Sequence, residues 1–271
     1  MQASVLICSV ALLAAAVTGH NWQALAPGLD LGTFTARHLA PVGDSRIIVL
    51  RIDPALWALE YAGLSRTDTS PGRSARQWCE EQGFAASINA GMYAADRRTH
   101  VGFLESRGRV NSGAVNGYQS VAAFDPVPGS RLPAFRIFDL DDPGVTVAGL
   151  REDYESVVQN LRLVKRPGLN RWQQQEKRWS EAALGEDEQG RILFIFARSP
   201  FTMYELNREL LAMGIGLVAA QHLDGGPPAQ MYVGVGDQEL EWVGSWETGA
   251  HENDANRTAW PIPSVLGIRQ R

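Results

Sequence analysis

Charged and polar side chains stand at the ends of several short apolar segments, and their types suit acid–base and anion-binding chemistry. Asp224 and Glu181 are carboxylates, which can act as acid, base or nucleophile at an anomeric carbon. Arg198 follows an apolar segment, and a guanidinium can hold a phosphate through paired, charge-assisted hydrogen bonds. Asn89 supplies an amide at the end of another apolar segment. These four side chains are the first candidates for a site.

Further residues adjoin these candidates and could contact a ligand. Gly225 and Gly226 form a polar turn, and bare glycines let a ligand approach the backbone and accept hydrogen bonds from its N–H groups. His222 lies just before this turn, and Ser199 follows the candidate arginine. Some indole rings adjoin polar loops and could stack on a sugar, namely Trp172, Trp179 and Trp246. Turn formation, packing or surface ion pairing explains each of these residues as well, so residue types alone leave catalysis undecided.

The sequence lacks the usual signatures of cofactor and metal sites. It contains no glycine-rich nucleotide fingerprint, phosphate-binding loop, zinc-protease helix or hydrolase nucleophile elbow. The 5 His residues show no metal-ligand spacing. Zinc is therefore not expected. Acidic residues could supply oxygen ligands for calcium, but their spacing fits no known loop motif; these residues are Asp96, Asp224, Glu247, Glu252 and Asp254. We therefore predict neither a cofactor nor a metal.

Composition and charge narrow the class of protein. The 271 residues include 25 Lys and Arg against 30 Asp and Glu, so the formal net charge of −5 argues against a nucleic-acid partner. Hydrophobic residues make up 45% and charged residues 20%, which is ordinary for a globular protein. The 27 Gly and 14 Pro separate short apolar runs, a pattern that predicts many strands and turns. Nothing in the sequence bears on oligomeric state.

The first 19 residues differ from the rest because they contain no charged side chain. The run from Val5 to Val17 is apolar and short for a bilayer span, which is typical of a signal peptide, and small residues permit cleavage before His20. Signal peptides usually carry a Lys or Arg near the first residue, and none lies near Met1. An uncleaved N-terminal anchor is therefore the alternative. We expect a periplasmic or secreted protein, with no membrane contact beyond that possible anchor.

Two predicted helices are followed by the turns that carry candidate residues. A capping box opens each helix, over residues 75–82 and 203–213. Each helix precedes an apolar run of strand length that ends in a glycine-containing turn, "NAGMY" from Asn89 and "LDGGPP" from Leu223. Because ligand sites gather where loops leave strand ends, we predict that these two turns line one pocket.

Elsewhere the pattern is mostly that of strands. Strands are predicted over residues 46–52, 101–105, 120–124, 157–164, 181–184 and 191–197, with a hairpin loop at 185–190. Cys79 lies in an apolar pattern and is predicted to be a buried thiol rather than a nucleophile. The expected fold is α+β or mixed α/β: a single domain, residues 20–271, with an extensive mixed β-sheet flanked by a few helices.

Three segments resemble the phosphodiester glycosidase family: "ASINAGMY", "EAALGEDEQGRILFIFARS" and "AQHLDGGPPAQMYV". In that family an Asn-rich turn, a hairpin that leads to an Arg, and an Asp-Gly-Gly turn build one pocket. The closing "WPIPSVLGI" resembles the family's last strand, so the resemblance extends over about residues 89–271. It implies an exported hydrolase that cleaves the glycosidic bond of a sugar 1-phosphodiester in a glycan, with that carbohydrate as its partner.

The resemblance also implies roles for individual residues. By position, the matches to the three motifs are Asn89, Gly91 and Met92, then Arg198, then Asp224, Gly225 and Gly226. Arg198 would neutralise the phosphate, Asp224 or Glu181 would be the base or nucleophile, and Asn89 would orient a sugar hydroxyl. The other predicted substrate contacts are Gly91, Met92, Ser199, His222, Gly225 and Gly226.

The chain departs from the family pattern at two places. Glu181 stands where the family commonly has Arg, and Pro227 stands where a Ser is expected after the glycines. Proline has no backbone N–H, so it cannot donate to a phosphate there. These departures support the alternative function, a non-catalytic periplasmic glycan-binding protein on the same fold.

Overall fold

The structure is a computed structural model that describes residues 22–64 and 68–271. The predicted signal peptide or anchor, residues 1–19, and the predicted cleavage point before His20 lie outside the described residues. Within the described ranges, no helix has both the length and the apolar character needed to cross a bilayer.

Strands account for most elements of the described ranges. In chain order the elements are β1 (Trp22–Ala26), β2 (Leu29–Thr35), β3 (Arg46–Ile52), β4 (Trp57–Gly63), α1 (Ala75–Gln82), β5 (Ala86–Asn89), β6 (Leu104–Ser106), β7 (Arg109–Ser112), β8 (Ser120–Pro126), β9 (Phe135–Asp139), α2 (Val147–Asp153), β10 (Tyr154–Lys165), β11 (Leu169–Asn170), β12 (Trp179–Asp187), β13 (Ile192–Phe201), α3 (Met203–Ala212), β14 (Leu217–Gly225), β15 (Gln230–Val235), β16 (Gln238–Val243) and β17 (Ser264–Gln270).

These strands form two sheets. The larger follows the order β1-β2-β3-β13-β12-β14-β10-β6-β7, with β11 and β8 also paired to β10 and β9 paired to β8; the smaller follows β16-β15-β5-β17-β4. Every strand pair in the described ranges is antiparallel, so the prediction of a mixed sheet is wrong. Hairpin connections such as β12–β13 and β15–β16 need no crossover helix, and they pair strands antiparallel. The domain is sheet-rich with three helices, which agrees with the predicted α+β class only in part.

The main core lies between the two sheets. Phe194 and Phe196 of β13 face Ile88 of β5, Met231 of β15 and Leu266 of β17 in one buried cluster. Burial of each such side chain contributes about 1.5–3 kcal/mol to folding. The helices cover outer faces: α3 contributes Met203, Leu206 and Leu210 to a second cluster, α1 contributes Trp78 and Cys79 to a third, and α2 contributes Val147 and Leu150 to a fourth.

The locally encoded elements agree closely with the prediction. Capping boxes open α1 and α3, and Gly83 ends α1 with a left-handed φ of 69°. Cys79 is buried, and this burial raises the pKa of its thiol to about 12. The hairpin loop predicted at 185–190 is shorter, because β12 continues to Asp187, whose Oδ1 accepts hydrogen bonds from the backbone N–H groups of Gln189 and Arg191.

Candidate active site

Neighbouring strands bring the two motif turns together. Ala182 of β12 is opposite Asp224 of β14, and Ala183 is opposite His222, so Leu223 forms a bulge that re-aims the end of β14. Asn89 ends β5 in the smaller sheet, and its Nδ2 donates a hydrogen bond to Asp224 Oδ2 at 3.3 Å. The "NAGMY" and "LDGGPP" turns therefore meet, whereas the prediction that they line one pocket stays a prediction.

Glu181 is held by two partners in the interior. Its Oε1 lies 2.5 Å from His222 Nδ1, and its Oε2 accepts a hydrogen bond from Trp179 Nε1 at 2.8 Å. Glu181 is 1% exposed and His222 is 3% exposed. Burial disfavours the charged imidazole, but attraction to Glu181 outweighs it and raises the pKa of His222. Glu181 therefore has both oxygens occupied and stabilises a positive charge on His222.

Asp224 is also buried, but at 8% it is more exposed than Glu181. Its Oδ1 accepts a hydrogen bond from the Gly225 N–H at 2.9 Å. Burial raises the pKa of Asp224 to about 7; the positive charge of His222 opposes this increase, and the negative charges of Glu181 and Glu247 add to it. Asp224 can therefore gain or lose a proton near neutral pH.

The two glycines after Asp224 leave room for neighbouring side chains. A Cβ on Gly225 would lie 2.7 Å from the Trp179 indole, and a Cβ on Gly226 would lie 2.8 Å from Glu247 Oε2. Gly226 also has a φ of 68°, and its N–H donates to the Ser180 carbonyl at 2.9 Å. Both glycine N–H groups are therefore used within the protein, and the predicted contacts of Gly225 and Gly226 with a substrate stay predictions.

Asn89 is likewise bonded to its surroundings. Its Nδ2 also donates to the Pro228 carbonyl at 3.0 Å, and its Oδ1 accepts from the Gln230 N–H at 2.7 Å. These contacts tie the segment after the glycines to the smaller sheet. The predicted contact of Asn89 with a sugar hydroxyl stays a prediction, whereas its hold on Asp224 is present in the structure.

Gly91 and Met92 continue the first motif. A Cβ on Gly91 would lie 2.2 Å from the His100 ring and 2.4 Å from Asn160 Oδ1, so only glycine fits there. Met92 is half-buried, and its carbonyl accepts a hydrogen bond from the Val101 N–H at 3.1 Å. Their predicted substrate contacts stay predictions.

Arg198 contacts the segment after β16. Its guanidinium donates to the carbonyls of Val243 at 2.6 Å and Asn256 at 2.8 Å, and it pairs with the Asp254 carboxylate at 2.7 Å. The predicted phosphate contact of Arg198 stays a prediction, and these bonds favour a positioning role. Ser199 is buried and accepts a hydrogen bond from the Ser45 N–H at 2.8 Å, so its hydroxyl serves the 43–45 loop.

The predicted site residues omit two further residues of this region, Glu247 and Tyr93. Glu247 acts electrostatically on Asp224 and His222, and its backbone bridges Trp179 and His251. Tyr93 closes the "NAGMY" turn, and burial together with the negative charge of Asp224 raises the pKa of its phenol to about 12. The motif contained a signal for Tyr93, but none for Glu247. Across residues 22–64 and 68–271, no group of three or more His, Cys, Asp or Glu side chains is arranged to hold a metal.

Acid–base and nucleophilic chemistry are what this arrangement of side chains can support. A carboxylate with a pKa near neutrality lies beside a histidine whose positive charge a second carboxylate stabilises.

The chain is similar to known proteins in sequence family and in fold. Residues 82–269 match the model of the phosphodiester glycosidase family. A hypothetical protein from Synechocystis has a TM-score of 0.63 at 14% identity over 90% of this chain, which spans 62% of that protein's length. The catalytic domain of zebrafish N-acetylglucosamine-1-phosphodiester alpha-N-acetylglucosaminidase, auto-inhibited by its pro-peptide, has a TM-score of 0.61 at 14% identity over 92% of this chain and 86% of that chain.

At such identities these two structures show a shared fold and no more. A search of curated proteins finds no significant match. The family match covers more than half of the chain and includes Asn89, Glu181, His222, Asp224 and Glu247, and on this basis the chain belongs to the phosphodiester glycosidase family.

Proposed function

We propose that this chain is an exported hydrolase that cleaves the glycosidic bond of a sugar 1-phosphodiester in an envelope or extracellular glycan. Family membership supports a glycosidase-like role. The observation that carries the proposal is Asp224, a buried carboxylate with a pKa of about 7 at the meeting point of two motif turns. Structural carboxylates are usually ionised well below neutral pH, so a pKa near 7 is typical of a reacting group.

The chemistry assigned to Asp224 follows from the leaving group. A phosphate monoester leaves with its negative charge delocalised, so it needs little protonation. The demanding task is attack at the anomeric carbon, which an ionised carboxylate can perform directly or by activating water. Asp224 takes this role rather than Glu181, because Glu181 is ion-paired with His222 and only 1% exposed, whereas Asp224 is 8% exposed.

Export and substrate class rest on other observations. The apolar, uncharged run in residues 1–19 supports export to the periplasm or medium. The net charge of −5 is consistent with a carbohydrate rather than a nucleic-acid partner.

The test is release of sugar from a panel of sugar 1-phosphodiesters by the purified protein and by Asp224→Asn. We expect hydrolysis by the parental protein and a loss of roughly 10²-fold or more in the variant. A protein that binds these glycans but cleaves none of them would instead be a periplasmic glycan-binding protein. That second candidate is favoured by Glu181 and Pro227, which depart from the family pattern, and by the low exposure of Asp224.

A further inference from the structure

Glu247 is a half-buried residue against the glycine turn that follows Asp224, and its own carboxylate oxygens are unused. Within residues 22–64 and 68–271, its side chain forms no hydrogen bond or ion pair. It packs on Gly226, where a Cβ would lie 2.8 Å from Glu247 Oε2. Its negative charge also acts on Asp224, His222 and Tyr93.

The neighbouring carboxylates are already engaged. Glu181 is bonded to Trp179 and His222 and is 1% exposed. Asp254 pairs with Arg198 at 2.7 Å. Glu247 therefore combines free oxygens, contact with the turn that follows Asp224 and access to solvent, and a group that passes a proton to bulk water needs such access.

The backbone holds Glu247 in place. Its N–H donates to the His251 carbonyl at 2.9 Å, and the Thr248 N–H donates to the Arg178 carbonyl at 3.0 Å. Ser180 Oγ accepts from the N–H groups of Ser245 at 2.9 Å and Trp246 at 3.1 Å. The backbone of Glu247 is therefore fixed, while its carboxylate oxygens stay free of hydrogen bonds.

We propose that Glu247 is the second catalytic carboxylate, the general base for the water that attacks the anomeric carbon, with Asp224 as the nucleophile. This inference rests on the proposed function. Asp224 Oδ2 forms a bond to the anomeric carbon while the bond from that carbon to the phosphate oxygen breaks, and the electron pair leaves with the phosphate monoester. Water then attacks the same carbon, Asp224 leaves as a carboxylate, and Glu247 accepts the proton of the water and passes it to solvent.

Two displacements at one carbon retain its configuration. The surroundings of the two carboxylates also fit their proposed roles as nucleophile and general base. Asp224 is fixed by Gly225 and Asn89, as suits a nucleophile, whereas Glu247 keeps contact with solvent.

The experiment compares Glu247→Gln, Glu247→Ala and the control Glu252→Gln. Glu252 is an exposed carboxylate in the same segment, where it accepts a hydrogen bond from the Gly249 N–H. On a cleaved sugar 1-phosphodiester, Glu247→Gln should lower steady-state turnover by about 10²-fold or more and leave a burst of one phosphate monoester per enzyme. Glu252→Gln should match the parental rate.

Rescue by azide distinguishes a general base from a residue with only a structural role, because azide cannot repair a structural defect. Azide needs no base, so it should restore turnover to Glu247→Ala and give a glycosyl azide with the substrate's anomeric configuration. Parental turnover in Glu247→Gln, or no burst and no azide rescue in a folded Glu247→Ala, overturns this inference alone. A parental protein that cleaves no member of the panel overturns the proposed function and this inference with it.

Discussion

The pKa of Asp224 makes the pH dependence of hydrolysis a direct test of its role. If ionised Asp224 attacks the anomeric carbon, kcat/KM should rise as pH increases through about 7, where the carboxyl group loses its proton. The measurement is a pH–rate profile of the parental protein on a sugar 1-phosphodiester. A rate that falls with pH across this range would show that protonated Asp224 is the active form.

The same group should also lower stability as it ionises. The pKa of Asp224 is raised from 3.8 to about 7 in the folded protein, so the folded state binds more protons than the unfolded state between these values. The free energy of unfolding should therefore decrease as pH rises from 4 to about 7, by at most about 4 kcal/mol from this residue. The raised pKa of His222 acts in the same direction, because stability is lost as pH rises through the folded-state value.

Asp224→Asn should remove the Asp224 part of this slope. We expect a higher free energy of unfolding for the variant than for the parental protein at pH 8, but not at pH 4. The measurement is urea unfolding of both proteins at both pH values. A variant that is less stable at pH 8 would contradict a pKa near 7.

At the level of the element, the segment between β16 and β17 depends on Arg198 of β13. Its guanidinium holds the carbonyls of Val243 and Asn256 and the carboxylate of Asp254. Arg198→Ala should leave the two sheets folded but increase hydrogen exchange in residues 243–256 and lower turnover, because Glu247 loses its support. Arg198→Lys should be intermediate, since an ammonium lacks the planar fork of donors. Turnover at the parental rate in Arg198→Ala would contradict this dependence.

The Asp-Gly-Gly turn allows a matched pair of glycine substitutions. Gly226 has a φ of 68° with Glu247 against it, whereas Gly236 of the β15–β16 turn has a φ of 58° with nothing within 4 Å. Alanine at either position should cost about 1–2 kcal/mol of stability through left-handed strain. Only Gly226→Ala should also lose hydrolysis, because its Cβ displaces Glu247. Equal activity in the two variants would show that Glu247 can shift without effect.

At the level of the whole molecule, the sequence predicted what depends on near neighbours. The capping residues Ser74 and Thr202 lie beside the helices they open, so both helices and the strands after them were identified. Sheet pairing was not, because β3 pairs with β13 and β5 with β17 across long stretches of chain. The site followed the same division. Motifs identified Asn89 and Asp224, whereas Glu247 reaches them only through the folded 243–256 segment.

The buried thiol of Cys79 in α1 allows unfolding of this helix to be followed by chemical labelling. Cys79 is 3% exposed with a pKa of about 12, so a thiol reagent at pH 8 meets almost no accessible thiolate in the folded state. In a chain that begins at His20, and so lacks Cys8, the labelling rate should equal the intrinsic rate multiplied by the fraction of molecules in which α1 has left the smaller sheet. Labelling across a urea series should follow the loss of circular dichroism if α1 and the sheets unfold together. Labelling that precedes that loss would identify α1 as a separate unit that detaches before the two sheets unfold.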